Sequence, residues 1–167
     1  SLSYPEKSYS YNPLKFGSFT EIKDRLMGYS VWTEEYYKKR TADILQFILK
    51  CMQEANYAVT FQSLRLILES NEAMEDLSKS LQGETKKRLS RLTDNFSSLR
   101  RDLAGFISDL GAVADSSFNF LLGHEEGEID LLNAYQNNEI IYFQLNTQGC
   151  QETARGFGRL ILQDLKL

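Results

Sequence analysis

The strongest pattern in the chain is a seam of apolar residues spaced alternately three and four apart: Leu89, Leu92, Phe96, Leu99, Leu103, Phe106, Leu110 and Val113. That alternation marks one face of an α-helix repeating in heptads. It predicts a single helix over residues 84–112, with a seam about 36 Å long at 1.5 Å per residue. A face of that length has to be buried against another long helix. The candidate inside the chain is residues 33–54, which open on Thr33, Glu34 and Glu35 and carry Tyr37, Ile44, Ile48 and Cys51 along one stripe. Antiparallel packing within one chain avoids the association entropy that an intermolecular coiled coil must offset. The alternative is a seam that mediates homo-oligomerisation.

Shorter periodic stretches surround these two. Ser18 followed by Glu21 has capping-box spacing and predicts a helix to about Met27, ending at Gly28. Thr60 caps a predicted helix over residues 61–68, and Asn71 another to Leu81. Further short helices are predicted around residues 115–122 and 130–136, separated by the acidic loop 124–128, with Asn137-Asn138 as a turn. The pattern then changes from helical to extended. Ile140, Ile141, Tyr142, Phe143 and Leu145 form a β-branched and aromatic run that predicts a strand. A last helix over residues 152–165 carries Ala154, Phe157, Leu160, Ile161, Leu162 and Leu165. A lone strand leaves its backbone donors and acceptors without neighbours. The strand and the helix after it are therefore expected to be one strand–helix unit of an α/β domain whose other strands lie elsewhere, in a chain cut from a larger protein. The fold class expected is mainly α, a helical bundle with one long heptad-patterned helix, plus this C-terminal strand–helix unit.

Composition alters this picture little. The 167 residues suffice for one well-buried domain. A net charge of −4 argues against a dedicated nucleic-acid binder but leaves room for a local basic patch. Cys51 and Cys150 are too far apart in sequence for metal-ligand spacing or a disulfide framework, which favours a reducing, cytosolic setting. No apolar run approaches the roughly 18 residues that span a bilayer, and residues 1–10 lack the layout of a signal peptide.

Candidate chemistry is sparse. No phosphate-binding Gly-x-x-x-x-Gly-Lys-Ser/Thr loop is present. The Gly156-Phe157-Gly158 triplet falls inside the last helix, where small residues are expected to let the helix pack closely on a sheet. The single histidine, His124, sits beside Glu125 and Glu126 and is expected to be solvated. No catalytic residue, metal ligand or cofactor-binding residue is assigned. The one distinctive surface feature is basic. Lys86, Lys87, Arg88, Arg91, Arg100 and Arg101 occupy non-seam positions of the long helix, against Glu84, Asp94 and Asp102. They make either the solvated back of an amphipathic helix or a docking strip for an acidic partner or a nucleic-acid backbone. Glu69, Glu72, Glu75 and Asp76 form an opposite, acidic stretch that could pair with the strip internally.

Two segments resemble one family. Tyr11-Asn12-Pro13-Leu14, Gly17 and Thr20-Glu21-Ile22-Lys23-Asp24-Arg25 resemble the loop and helix that follow the phosphate-loop region in type IV coupling proteins, the TraG/TraD-like ATPases of conjugation and type IV secretion. Ile140-Ile141-Tyr142-Phe143-Gln144-Leu145, Glu152-Thr153-Ala154-Arg155, Gly158-Arg159-Leu160 and Asp164-Leu165-Lys166 resemble the strand and helix before the acidic Walker B strand of that family. Together these cover roughly a quarter of the chain, at its two ends. The resemblance implies that residues 1–30 lead in from a RecA-like motor, residues 31–136 are an inserted all-alpha domain, and residues 137–167 return to the motor. It implies a recognition role, docking relaxase or relaxosome accessory proteins, or DNA, on the cytoplasmic side of an inner- or plasma-membrane-associated bacterial protein. ATP and magnesium would belong to the parent motor, a homo-hexameric ring, and not to this fragment, which is expected to be a monomer without enzymatic activity. The rival readings are direct DNA binding through residues 86–101 and a helical oligomerisation module.

Overall fold

Side-chain caps set the starts of four helices. In the computed structural model, which describes residues 7–116, 118–145, 148 and 151–166, the chain is mainly helical. Ser18 and Glu21 form the expected capping box on α1 (Phe19–Tyr29). α2 (Glu35–Glu54) starts without a side-chain cap. Thr60 and Ser63 cap α3 (Phe61–Glu69) reciprocally. Ser70, and not Asn71, caps α4 (Asn71–Lys79), its hydroxyl accepting from the Ala73 N–H. α1 runs through Gly28, its expected end, and the Gln163 side chain of the last helix packs against that glycine, its Nε2 1.9 Å from where a Cβ would stand.

The predicted 84–112 helix is instead three helices: α5 (Gly83–Asp94), α6 (Phe96–Asp102) and α7 (Ala104–Ala114). The breaks fall at Asn95 and Leu103, each a single residue near φ −100° and ψ between 3° and 26°. At Asn95 the backbone N–H bonds back three residues to Leu92, and the side-chain amide donates to the Arg91 carbonyl. Such local bonds compete with the helical ladder. The seam still points inward, with Leu89, Leu99, Leu103, Phe106, Leu110 and Val113 buried and Leu92 and Phe96 packed against the core. It meets three partners instead of α2 alone, as α5 packs on α4, α6 on α2, and α7 most extensively on α3. Length explains the difference. α3 and α4 have nine residues each, so either is about 13 Å long, and a straight 36 Å helix would overhang them.

Phe61, Leu64 and Leu68 of α3, Ile48, Leu49 and Met52 of α2 and Leu110 of α7 are fully buried at the centre. Each such side chain contributes about 1.5–3 kcal/mol relative to an exposed one. Tyr37, expected on the inward stripe of α2, is exposed, as are Leu162 and Leu165 of the last helix. The remaining helices are α8 (Asn119–Leu122), shorter than predicted, α9 (Leu131–Gln136), capped by Asp130, and α10 (Gln151–Asp164).

No β-strand occurs among the described residues. The 140–145 segment nevertheless alternates as a strand would. Ile140 and Tyr142 are 97% and 82% exposed, while Phe143 and Leu145 pack against the core. None of the backbone groups of Ile140, Ile141, Tyr142 or Phe143 is hydrogen-bonded among the described residues. A ladder needs two members, and these residues supply one. Cys150 and the first residues of the lead-in segment lie outside the described residues.

Candidate functional site

The lead-in loop, residues 10–16, is a hub. Its backbone is irregular, so its polar groups must find partners outside a helix. The Tyr11 N–H donates to the Leu121 carbonyl. The Asn12 side chain donates to the Val59 and Glu125 carbonyls, and its oxygen accepts from the Leu14 N–H. Ser10 donates both N–H and hydroxyl to Glu128 (2.7 and 2.9 Å), and Lys15 pairs with Glu126 at 2.8 Å. The acidic loop thus clasps the lead-in loop, while His124 stays exposed. Gly127 is required for the clasp: its φ is +59°, and a Cβ there would lie 2.8 Å from the Asn12 backbone nitrogen.

Beneath this loop lies a buried polar cluster. Arg25 of α1 is 3% exposed and Asp164 of α10 8%. Arg25 Nη1 is 2.6 Å from Asp164 Oδ1 and 2.6 Å from the Pro13 carbonyl, and Nη2 donates to the Phe16 carbonyl. The Tyr11 hydroxyl donates to Asp164 Oδ2 at 2.5 Å. Burial raises the Asp164 pKa, against the Tyr11 hydrogen bond and the Arg25 charge, which lower it. Burial also raises the Tyr11 pKa, reinforced by Asp164. Arg25 Nε is buried without a partner. Of the three, Tyr11 also reaches the wall of a cleft beside the junction. Their chemistry is cohesion: they fasten the lead-in loop, α1 and α10 together.

Close packing by glycine completes that junction. Gly156 lies against the Tyr29 ring, 2.3 Å from where its Cβ would be, and Gly158 faces Leu145. The small residues of α10 therefore admit a helix, α1, and the 140–145 segment, where sequence suggested a sheet. Both positions are filled by neighbouring side chains, which leaves no cradle for a phosphate there. Burial pushes the Tyr29 hydroxyl up to about 12. Beside the junction a cleft of about 570 Å³ is lined by Tyr9, Tyr11, Ile129, Ile140, Tyr142 and Phe143, with Glu128, Asp130 and Glu139 among its polar groups.

The six cations of the predicted strip are all exposed, but they do not form one row. Lys86, Lys87 and Arg91 lie on the outer side of α5, with Lys87 paired to Glu84 at 3.1 Å. Arg88 turns inward, its guanidinium 4.1 Å from the centre of the Phe47 ring on α2. Beyond the break at Asn95, Arg100 and Arg101 diverge. Arg100 lines a groove with Arg65, Glu69 and Asp115, and Arg101 lines another with Trp32, Tyr37 and Asp109. The acidic stretch does not neutralise the strip. Glu69 pairs with Arg65, Asp76 with Lys79, and Glu75 accepts from Asn71.

No described helix is long and apolar enough to cross a membrane, and no metal-ligand cluster occurs among the described residues. Comparison of the chain with protein families, with curated proteins and with solved structures finds no match.

Sequence reasoning missed the Arg25–Asp164–Tyr11 cluster. Arg25 stands in a polar helical stretch and Asp164 near the end of the last helix, and no spacing rule links residues 139 positions apart.

Proposed function

We propose that the chain is the all-helical recognition domain of a type IV coupling ATPase, with residues 1–30 and 137–167 as its connections to a RecA-like motor. The observation that carries this reading is the junction of the two ends. Arg25 and Asp164, 139 positions apart, meet at 2.6 Å inside the protein, and Tyr11 joins them. A domain inserted into another needs its incoming and outgoing segments side by side, and these two are clasped by a buried ion pair, hydrogen bonds and glycine-mediated packing. The residues that resemble the coupling-protein family lie on those same two segments. In this reading residues 140–145 are a strand of the motor's sheet, which accounts for their alternating exposure and for the lack of backbone hydrogen bonds at Ile140, Ile141, Tyr142 and Phe143 among the described residues. ATP and magnesium act in the motor, and the helices between the junctions take up relaxase or relaxosome accessory proteins.

The rival readings have less support. The heptad seam is used inside the chain, which leaves a homo-oligomer little to pack. DNA binding through residues 86–101 would place a polyanion beside the acidic α4 helix, on a face without aromatic stacking partners.

Calorimetric titration of the purified chain with the relaxase and accessory proteins encoded beside it tests the reading. A saturable complex with one of them, and no ATP hydrolysis by the chain alone, is expected. Absence of any such complex, or hydrolysis by the pure chain, overturns it.

A further inference from the structure

Charge in this protein is segregated by element. α5 and α6 together carry six cations and three acids, +3 net, within a chain whose total is −4, so the rest of the chain stands at −7. Most of that positive charge is not used by the fold. Leu89 is the one buried residue of α5 and Leu99 that of α6. Of the four α5 cations, Arg88 covers Phe47 and Lys87 reaches Glu84, while Lys86 and Arg91 have no ion-pair partner among the described residues. α4 packs directly on α5, yet its Asp76 pairs with Lys79 and its Glu75 accepts from Asn71, both on α4 itself and not on the strip.

We propose that the outer face of α5, formed by Lys86, Lys87, Ser90 and Arg91, docks an acidic segment of a partner protein. Helical spacing supplies the geometry. Lys87 and Arg91 are four residues apart and so stand one above the other along one face, with Lys86 beside Lys87 at the same level, while the Ser90 hydroxyl is turned back to the Lys86 carbonyl. Carboxylates one turn apart on a partner helix match that array. The helix dipole adds positive potential at the first turn of α5, where Lys86 lies. The face is free of apolar side chains, so it selects by charge and hydrogen bonding. A nucleic acid would extend along the face and meet the carboxylates of α4, whereas a short acidic segment ends before them. The inference rests on the recognition reading above and names the chemistry of what the domain takes.

Fluorescence anisotropy with a labelled glutamate-rich helical peptide tests it, with a peptide of about 12 residues being roughly 18 Å long, matching the 12 residues of α5. A glutamine-substituted peptide and DNA oligonucleotides of equal charge serve as comparisons. The glutamate peptide is expected to bind, more weakly as salt rises, and the glutamine peptide not to bind. The K86E/K87E/R91E variant should lose about tenfold or more in affinity, and a charge-matched K38E/K39E/R155E variant should lose little. If K86E/K87E/R91E does not fold, K86Q/K87Q/R91Q should show the same loss in smaller measure. No binding of the glutamate peptide, undiminished binding by the variants of the α5 face, or tighter binding of the oligonucleotide would overturn the inference. A relaxase that binds the original chain and the reversed variant equally removes the inference and leaves the recognition reading standing. A peptide that binds when no relaxosome protein does removes the recognition reading alone.

Discussion

Replacing Asp164 with asparagine should destabilise the protein by about 3 kcal/mol, at the lower end of the 3–5 kcal/mol expected when one member of a buried ion pair is removed. The asparagine would keep the volume and an acceptor for the Tyr11 hydroxyl, but it would leave the Arg25 charge at 3% exposure without its counter-charge. Two carbonyls, of Pro13 and Phe16, still accept from the guanidinium. They soften the loss, which is why the low end applies. For a domain of this size 3 kcal/mol corresponds to roughly 6–12 °C in Tm. Urea denaturation followed by circular dichroism measures it. A double-mutant cycle with Arg25→Met isolates the pair, and the coupling should be about 2 kcal/mol or more, because the residues touch at 2.6 Å. A loss below about 1 kcal/mol for Asp164→Asn, or additive effects in the cycle, would refute the claim that this pair fastens the two ends together.

The same junction and core make three further outcomes testable. Gly127→Ala should cost more than about 1 kcal/mol, since alanine is strained at φ +59° and its Cβ would meet the Asn12 backbone; unchanged thermal stability would contradict this. Burial pushes the Cys51 thiol up to about 12, so in a Cys150→Ser background a thiol reagent at pH 8 should label Cys51 only after denaturation. Ser10 lowers the Glu128 pKa and Lys15 that of Glu126. A lowered carboxylate pKa gives stability that is present above the unfolded-state pKa, about 4.3 for glutamate, and is lost as pH falls through the folded value. Amide exchange in residues 10–15 and 124–128 should therefore rise in acid before exchange in α3 does, and simultaneous opening would argue against a separate clasp.

Where helices form was legible in the order of residues alone. Apolar periodicity and capping pairs are local, and Ser18–Glu21, Thr60 and Asp130 act within one turn of their own helix. The inward side of residues 89–113 was legible too, because burial follows the apolar face however the helix is divided. The breaks at Asn95 and Leu103 were not. The lengths of α3 and α4 set that requirement, and they are properties of other segments. Whether residues 140–145 form a ladder likewise depends on a neighbouring strand, so a strand-forming composition was not enough. The six cations were legible as a basic strip, but the turns at Asn95 and Leu103 settled which of them share a face, and Phe47 settled where Arg88 points. The buried tie between Arg25 and Asp164 belongs wholly to the assembled molecule. Its energy comes from excluding water around two charges, and that exclusion exists only once the lead-in loop, α1 and α10 have come together.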